Sequence, residues 1–294
     1  LSWSAISLPA TMELVAKVLP KNKRTMGVSV HSLVRRIPMA LGPLAGGLFV
    51  DLWGPVAGVR LAFAGAIAMA LVALLMQQIL IKDDRATAAA PAGERQDSPL
   101  AIFALMRPEL KSLLVADVLV RFCEQIPYAF VVVWAMKTIA SPVSGVQFGM
   151  LRTIEMATAI LIYVPVAYFA DKTTKKPFVV ATFVFFTLFP LVLLFSTTFW
   201  VLAAAFVLRG FKEFGEPTRK ALIMDLAPED KKAAMFGLYY LIRDVIVSIA
   251  AFAAGFLWQI SPTVNLLTAF AFGALGTAWF AWKGRNLGPA PAAS

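Results

Sequence analysis

Three ionisable residues stand at helical spacing within an otherwise apolar segment of the chain. Asp117, Arg121 and Glu124 are separated by four and then three residues, so on a helix they share one face within an arc of about 60°. An arginine in this setting can bind an anionic group while a neighbouring carboxylate carries a proton. The alternative is a static cluster in which the two carboxylates only neutralise Arg121, because charges in apolar surroundings usually pair.

A second charged group lies in the sequence VLRGFKEFGEPTRKALIMD, residues 207–225. At 3.6 residues per turn, one helix face carries the side chains of Arg209, Glu213, Glu216 and Lys220. Gly215 and Pro217 interrupt this segment, and together they predict a bend beside the charged face. Arg219 and Lys220 lie near the end of the segment, where long cationic side chains typically extend to lipid phosphates, and that interpretation is favoured for both.

Further charged pairs interrupt other apolar segments. They are Arg35 with Arg36, Arg152 with Glu155, and Arg243 with Asp244. Arg152 and Glu155 are spaced i, i+3, so they can face one direction on a helix. The sequence shows no metal-site spacing, nucleophile triad or phosphate-binding glycine loop, so neither a metal nor a cofactor is predicted.

The composition indicates that membrane helices carry these charges. The chain is 60% hydrophobic and 15% charged, against roughly 25% charged residues in an ordinary soluble domain. Apolar runs of about 20 residues, the length that crosses a hydrocarbon core, recur throughout the chain. A soluble enzyme is therefore excluded. The net charge of +10 does not indicate nucleic-acid binding, because the basic residues fall in short loops between the apolar runs.

The pattern of apolar runs and loops predicts nine membrane helices. They lie near residues 3–19, 25–50, 60–81, 112–136, 147–170, 177–197, 200–225, 234–258 and 263–282. The loops alternate between basic and nearly uncharged, so the positive-inside rule places the basic loops and the C-terminal tail in the cytoplasm. Apart from Arg60 at the first position, the predicted helices 60–81, 177–197 and 263–282 carry no ionisable residue, and we expect them to face lipid.

An internal repeat divides the chain into two bundles. Shifting the sequence by 208 positions aligns Arg35 with Arg243 and Gly47 with Gly255 without a gap. Both copies follow a basic loop, so they run in the same direction across the membrane, as in a parallel repeat. The predicted division is the remainder of one helical bundle at residues 1–82, a cytoplasmic linker at 83–111 and a six-helix bundle at 112–294.

Two motifs resemble signatures of the major facilitator superfamily. AYFADKTTKKP, residues 167–177, is similar to the family's loop signature, with its acidic and basic positions at Asp171, Lys172, Lys175 and Lys176. GPLAGG, residues 42–47, resembles the glycine-proline motif of the family's antiporters. The resemblance implies an all-α, polytopic membrane helix bundle with two pseudo-symmetric halves. The first three helices of that fold would be missing, and the fourth to the twelfth would be present.

The resemblance also implies a function, that of a secondary active transporter which moves a small solute by alternating access and is not an enzyme. The residues expected on the substrate or proton pathway are Asp117, Arg121, Glu124, Arg209, Glu213 and Glu216. The excess of arginine within the predicted membrane helices favours an anionic or zwitterionic solute, and the carboxylates of the pathway make protons a candidate coupling ion. A non-transporting sensor or scaffold and a lipid flippase are the alternatives. We expect a monomer in the cell (inner) membrane, with the lipid bilayer but no nucleic acid as a partner.

Charged pairs between the two halves are a further expectation. In the superfamily, helix eight packs against helix five, which brings Glu155 within reach of Arg35 or Arg36. The residues expected in such interdomain pairs are Arg35, Arg36, Arg152, Glu155, Arg243 and Asp244. We hypothesise that these pairs break and re-form as the halves rock. The loop residue Asp171 is expected to help hold the cytoplasmic side closed, as its counterpart does in the family.

A charge exchange between Arg36 and Glu155 tests the hypothesis. Arg36→Glu and Glu155→Arg should each abolish solute uptake, because each variant places two like charges together. The double variant should restore uptake, measured in cells at matched expression, since the pair re-forms with reversed polarity. Failure of the double variant to recover any uptake would argue against a direct pair.

Overall fold

The computed structural model describes residues 24–80, 98–170, 174–228 and 231–285. Across these ranges all regular structure is helical, without strands, in agreement with the predicted all-α class. Five helices are long and apolar enough to cross a membrane, or six if one bent pair forms a single span. The predicted helix at residues 3–19 and the motif residues Asp171 and Lys172 lie outside the described residues.

The first helix, α1, extends from Arg24 to Leu80 and is broken at Gly54, where φ is 78° and ψ is 168°. That conformation is readily adopted only by glycine. A Cβ atom added to Gly58 would lie 2.7 Å from the Cα atom of Val50, so the chain folds back on itself just beyond the break. The two helices predicted at residues 25–50 and 60–81 are thus confirmed as the two arms of a tight hairpin.

Two helices follow the undescribed part of the predicted linker. α2, Pro99–Ala104, is short, and its cap residue Ser98 accepts a hydrogen bond from the backbone N–H of Ala101. α3, Pro108–Tyr128, begins four residues before the predicted start at residue 112. Pro108 accounts for this early start, because proline suits the first turn of a helix.

The predicted helix at residues 112–136 is bent. α3 contains Pro127 and is followed by α4, Val131–Val133, and a π-helical turn, Trp134–Thr138, with a bend of 44° between the two parts. Proline removes one helical hydrogen bond, which accounts for a bend at this point.

Four of the remaining five predicted spans agree closely with the structure. They are α5, Gly145–Ala170, α6, Lys175–Leu194, α9, Lys232–Ile260, and α10, Pro262–Lys283. The span predicted at residues 200–225 is divided instead. It comprises α7, Phe199–Gly210, a 3₁₀ turn, Phe211–Glu213, and α8, Glu216–Leu226.

The helix α6, an uncharged span, was expected to face lipid, but it does not face only outward. It is the most buried of the candidate spans, and Phe183 and Phe186 belong to the core that α3, α8 and α10 also form. α10 likewise buries Phe280 in this core. α10 nevertheless has an exposed apolar stripe, Leu267, Leu275 and Trp282, in agreement with a span that faces lipid. The expectation is wrong for α6 because its apolar side chains pack against protein along nearly the whole helix. The second arm of α1, residues 61–80, is exposed along nearly its whole length.

Close helix approaches depend on glycine. A Cβ atom on Gly276 of α10 would lie 2.8 Å from the carbonyl oxygen of Ala116 in α3. The first arm of α1 approaches α5 in the same way, since a Cβ atom on Gly149 would lie 2.8 Å from the Cα atom of Leu44. Small residues that let helix backbones approach are typical of membrane helix interfaces.

The variant Gly276→Ala should destabilise the bundle. The added methyl group meets backbone atoms of α3 that cannot move aside, and overpacking of this kind costs about 1–3 kcal/mol. Gly255→Ala is the matched control, because nothing lies within 4 Å of that position and alanine favours a helix. Thermal unfolding of the purified protein should show a lower midpoint for Gly276→Ala only. Equal midpoints for the two variants would contradict the proposed close approach.

Candidate functional site

The carboxylate of Asp117 lies at the centre of a buried charge cluster between α3, α8 and α9. It forms an ion pair with Arg219 and accepts a hydrogen bond of 3.1 Å from the Tyr239 hydroxyl. Arg243 and Arg121 approach it to 3.6 Å and 3.7 Å. The Asp117 side chain is 1% exposed. Three cations thus converge on one carboxylate away from solvent.

Glu216 is the second carboxylate of this cluster and stands at the start of α8. It forms an ion pair with Arg121 of α3 and accepts hydrogen bonds of 2.9 and 3.0 Å from Arg219, one turn further along α8. Arg219 also donates to the hydroxyl oxygen of Tyr240 at 3.3 Å. The Arg219 side chain is only 1% exposed, so the interpretation that it extends to lipid phosphates is wrong.

A second cluster continues from Arg121 towards α5. Arg121 donates to Glu124 at 2.6 Å, and Lys212 donates to the other oxygen of Glu124 at 2.9 Å. Lys212 also lies 3.4 Å from Glu155, whose carboxylate is completely buried. Arg209 approaches Glu155 to 3.3 Å, and the predicted pair of Glu155 with Arg152 forms on α5 itself. Glu155 therefore has three cationic partners, on α5, on α7 and on the 3₁₀ turn.

The two clusters form one continuous network of alternating charge across five helices, α3, α5, α7, α8 and α9, and the 3₁₀ turn. Its interior joins six cations, Arg121, Arg152, Arg209, Lys212, Arg219 and Arg243, to four carboxylates, Asp117, Glu124, Glu155 and Glu216. Asp244, 60% exposed, pairs with Arg243 at the edge, and Glu213 is half-buried on the turn beside Lys212. With these two included, the described network has six cations and six carboxylates, so their charges balance.

The sequence predicts one helix face that carries Arg209, Glu213, Glu216 and Lys220, and the structure agrees with this prediction only in part. Side chains three residues apart eclipse in a 3₁₀ turn, so Lys212 rather than Glu213 points in the direction of Arg209. In α8, Arg219 faces the cluster, whereas Lys220 is exposed. Gly210 and Gly215, which flank this turn in the sequence, were the signal that a regular helix does not continue here.

The break in this span is held by α6. The backbone N–H of Gly215 donates to the Thr182 hydroxyl at 2.5 Å, which satisfies a donor that the interrupted helix leaves without a helical partner. A Cβ atom on Gly215 would also lie 2.6 Å from that hydroxyl oxygen. The bend predicted at Gly215 is confirmed, and its backbone is bound to the neighbouring helix.

Two of the residues expected to form charged pairs between the halves, Arg243 and Asp244, have other contacts in the structure. Arg243 packs over the ring of Tyr240, 4.1 Å from its centre, and bonds to Asp244 at 2.6 Å. It is therefore directed into its own bundle, and Asp244 is directed outward. Arg35 and Arg36 belong to α1, but their side chains lie outside the described residues. Of the loop motif, Lys175 and Lys176 form the first turn of α6.

A small cavity adjoins the network at its centre. Its volume of about 10 Å³ has room for about one water molecule. Its lining consists of Glu124, Arg209, Lys212, Phe185, Phe186 and Phe189. The Arg209 guanidinium lies 4.8 Å from the centre of the Phe189 ring, within the range of a cation–π contact. No group of metal-ligating side chains occurs among the described residues.

Asn265 is a polar residue that sequence reasoning missed. It is completely buried near the start of α10, where its amide nitrogen donates to the carbonyl oxygens of Ile126 at 3.4 Å and Ala254 at 3.1 Å. Ile126 precedes Pro127, so Asn265 connects the bend of α3 to α9 and α10. An asparagine inside an uncharged span was the available signal.

Removing the central carboxylate should destabilise the bundle strongly. Asp117→Asn leaves Arg219 and Arg243 without their shared carboxylate, and breaking a buried pair in this way costs about 3–5 kcal/mol. Arg285→Gln is the control, since the Arg285 side chain is 58% exposed in its pair with Glu109 and exposed pairs contribute at most about 1 kcal/mol. Thermal unfolding should separate the two variants clearly. A small loss for Asp117→Asn would show that other cluster members replace its charge.

Comparison with known proteins identifies the family of the chain. The family model of the Major Facilitator Superfamily matches the chain over residues 2–138 and again over residues 113–293. A comparison with curated proteins found no match. The two family matches together cover most of the chain, and the helices they include are long and apolar enough to cross a membrane. The chain therefore belongs to the Major Facilitator Superfamily, a family of membrane transporters rather than enzymes.

Proposed function

We propose that the chain is a secondary active transporter that moves a small anionic or zwitterionic solute by alternating access. Family membership supports the transporter class. The observation that carries the proposal is the buried network from Arg243 to Glu155, because intramembrane charges are costly and commonly line substrate or proton pathways. The cations Arg209 and Lys212, which line the cavity, support a solute with a negative group.

Arg209 and Lys212 line the small cavity, which has room for about one water molecule, so a solute reaches these two cations only when the surrounding helices move apart. An anionic solute competes there with Glu124 and Glu155, which are the present partners of Lys212 at 2.9 and 3.4 Å. A proton that neutralises one of these carboxylates releases a cation for the solute. In this mechanism proton and anion enter together, because each compensates for the charge of the other.

The proposed site requires a second half. We propose that residues 1–82 are the remainder of an N-terminal bundle, that 83–111 form a cytoplasmic linker and that 112–294 form the C-terminal bundle. The first three helices of the fold would precede the chain. The solute would bind near the midplane between the two pseudo-symmetric halves.

The orientation in the membrane follows from the loops. We propose a monomer in the cell (inner) membrane with a cytoplasmic C-terminus, as the basic loops indicate. Two loops assigned to the outer side, at residues 51–60 and 137–147, contact each other where Asp51 bonds to Gly145 at 2.6 Å. This contact supports the assignment of both loops to the same side, because loops on opposite sides of the membrane do not meet.

The interdomain pair of Arg36 with Glu155 remains part of the proposal. The contacts between α1 and α5 follow an antiparallel register, in which residue 40 meets Thr153 and residue 43 meets Gly149. One turn further, this register brings residue 36 beside residues 156 and 157. Glu155 is close to that level, but it lies about 200° from Thr153 around α5 and faces Arg209 and Lys212, so a pair with Arg36 requires α5 to rotate.

Two other functions predict different behaviour. A sensor or scaffold with this fold would keep its partner binding when Asp117 or Arg121 is replaced, whereas a transporter would lose uptake. A lipid flippase would require a lateral opening between helices that the same charges line. The alternation of charge through the core of the bundle favours a solute pathway over either alternative.

The proposal is tested by identifying the solute and then altering the network. A thermal-shift screen of the purified protein with matched anionic, zwitterionic and cationic solutes should stabilise it with an anion or zwitterion, and uptake into proteoliposomes should follow. Glu124→Gln should reduce uptake about 100-fold, in the range typical of a lost proton-transfer group, and should abolish its dependence on a proton gradient. Lys220→Gln, an exposed neighbour, should transport normally. Uptake by Glu124→Gln equal to that of the wild type would exclude the proposed pathway.

A further inference from the structure

The N-terminus of α5 carries an incomplete cap of its own. Gln147 donates its backbone N–H to the Ser144 hydroxyl at 3.2 Å, and its side-chain oxygen accepts from the Ser144 backbone N–H at 2.9 Å. This reciprocal pair is a capping box, which satisfies two of the backbone donors at the start of a helix. The capping box provides no acceptor for the N–H groups of Gly145 and Val146, which lie between Ser144 and Gln147 in the sequence.

Asp51, from the other bundle, supplies the two missing acceptors. One carboxylate oxygen accepts from the Gly145 N–H at 2.6 Å and the other accepts from the Val146 N–H at 2.8 Å. A carboxylate is favourable at this position because the N-terminus of a helix carries partial positive charge. The cap of α5 is therefore completed across the contact between two helices that the linker separates in sequence.

The surrounding helix contact is tight and built from the same two segments. A Cβ atom on Gly145 would lie 2.6 Å from the Gly47 carbonyl oxygen, and the Thr153 hydroxyl donates to the Ala40 carbonyl oxygen at 2.8 Å. These contacts extend from Asp51 for three turns along α1. Asp51 stands at the outer end of this contact, where its side chain is exposed and water can reach its hydrogen bonds.

We propose that Asp51 is a positioning residue that holds the outer end of the contact between α1 and α5 shut and releases it during the transport cycle. The inference rests on the proposed alternating-access function. When the helices separate, water can replace both acceptors, so the contact is reversible. A core pair such as Asp117 with Arg219 cannot serve in this way, because separating it leaves charges in apolar surroundings.

The experiment measures the labelling of single cysteines by a water-soluble maleimide in the full chain in proteoliposomes. The natural thiol, Cys123, is 1% exposed and is first replaced by alanine. One reporter is Leu44→Cys, within the contact and opposite Gly149. The other is Ile160→Cys, seven residues beyond Thr153 on the same stripe of α5 and towards its cytoplasmic end. Asp51→Asn and Asp51→Ala are then introduced into each background.

Both Asp51 variants should raise the labelling rate at position 44 by about fivefold, as expected for the loss of a helix cap. The rate at position 160 should fall, because opening the outer side closes the cytoplasmic side. Glu109→Gln is the matched control, since it removes a partly exposed carboxylate whose partner, Arg285, lies in the same bundle. It should change neither rate.

Three outcomes would overturn the proposal. They are an unchanged rate at position 44 in the Asp51 variants, an equal rise with Glu109→Gln, and a rise at position 44 without a fall at 160, which would indicate only local fraying. Labelling needs no solute. The result is thus independent of the uptake experiments, and a failure of the transport proposal can be distinguished from a failure of this one.

Discussion

The neutralisation of buried arginine is the constraint on which the packing of α3, α8 and α9 depends. Arg219 is almost completely buried, and an unpaired charge at such a site costs several kcal/mol. Asp117 and Glu216 supply the compensating charge from α3 and α8, and the hydroxyl of Tyr240 accepts one further bond. These contacts fix how α3, α8 and α9 lie relative to one another.

Irregular backbone is what lets the charged side chains meet. The 3₁₀ turn directs Lys212 towards Glu124 and Glu155, and the break at Gly215 allows α8 to start with Glu216 in the cluster. Each interruption leaves backbone groups without helical partners, and nearby side chains satisfy them, as Thr182 and Asn265 do. Such non-helical backbone is tolerated inside a membrane protein only where protein or water covers it.

Helix α5 connects the contact with α1 to the buried charge network. Near its N-terminus it contacts α1 through Gly145 and Gly149, and two turns later it carries Glu155 into the charge network. A helix moves nearly as a rigid body over this distance. A change at the contact with α1 would therefore shift Glu155 relative to Arg209, which provides a physical route between the outer end of the contact and the proposed solute site.

The sequence by itself determined the membrane class, the helical spans and the pairing of Arg121 with Asp117 and Glu124, because hydropathy and helical periodicity are local properties of the chain. It also indicated the family through short motifs. The tertiary structure alone decided that Lys212 and Arg219 face the network, and that Asp51 caps a helix distant in sequence. The first outcome depends on how the 3₁₀ turn rotates the side chains that follow it around the helix axis, and the second depends on a contact between distant segments. Neither effect has a fixed spacing along the chain.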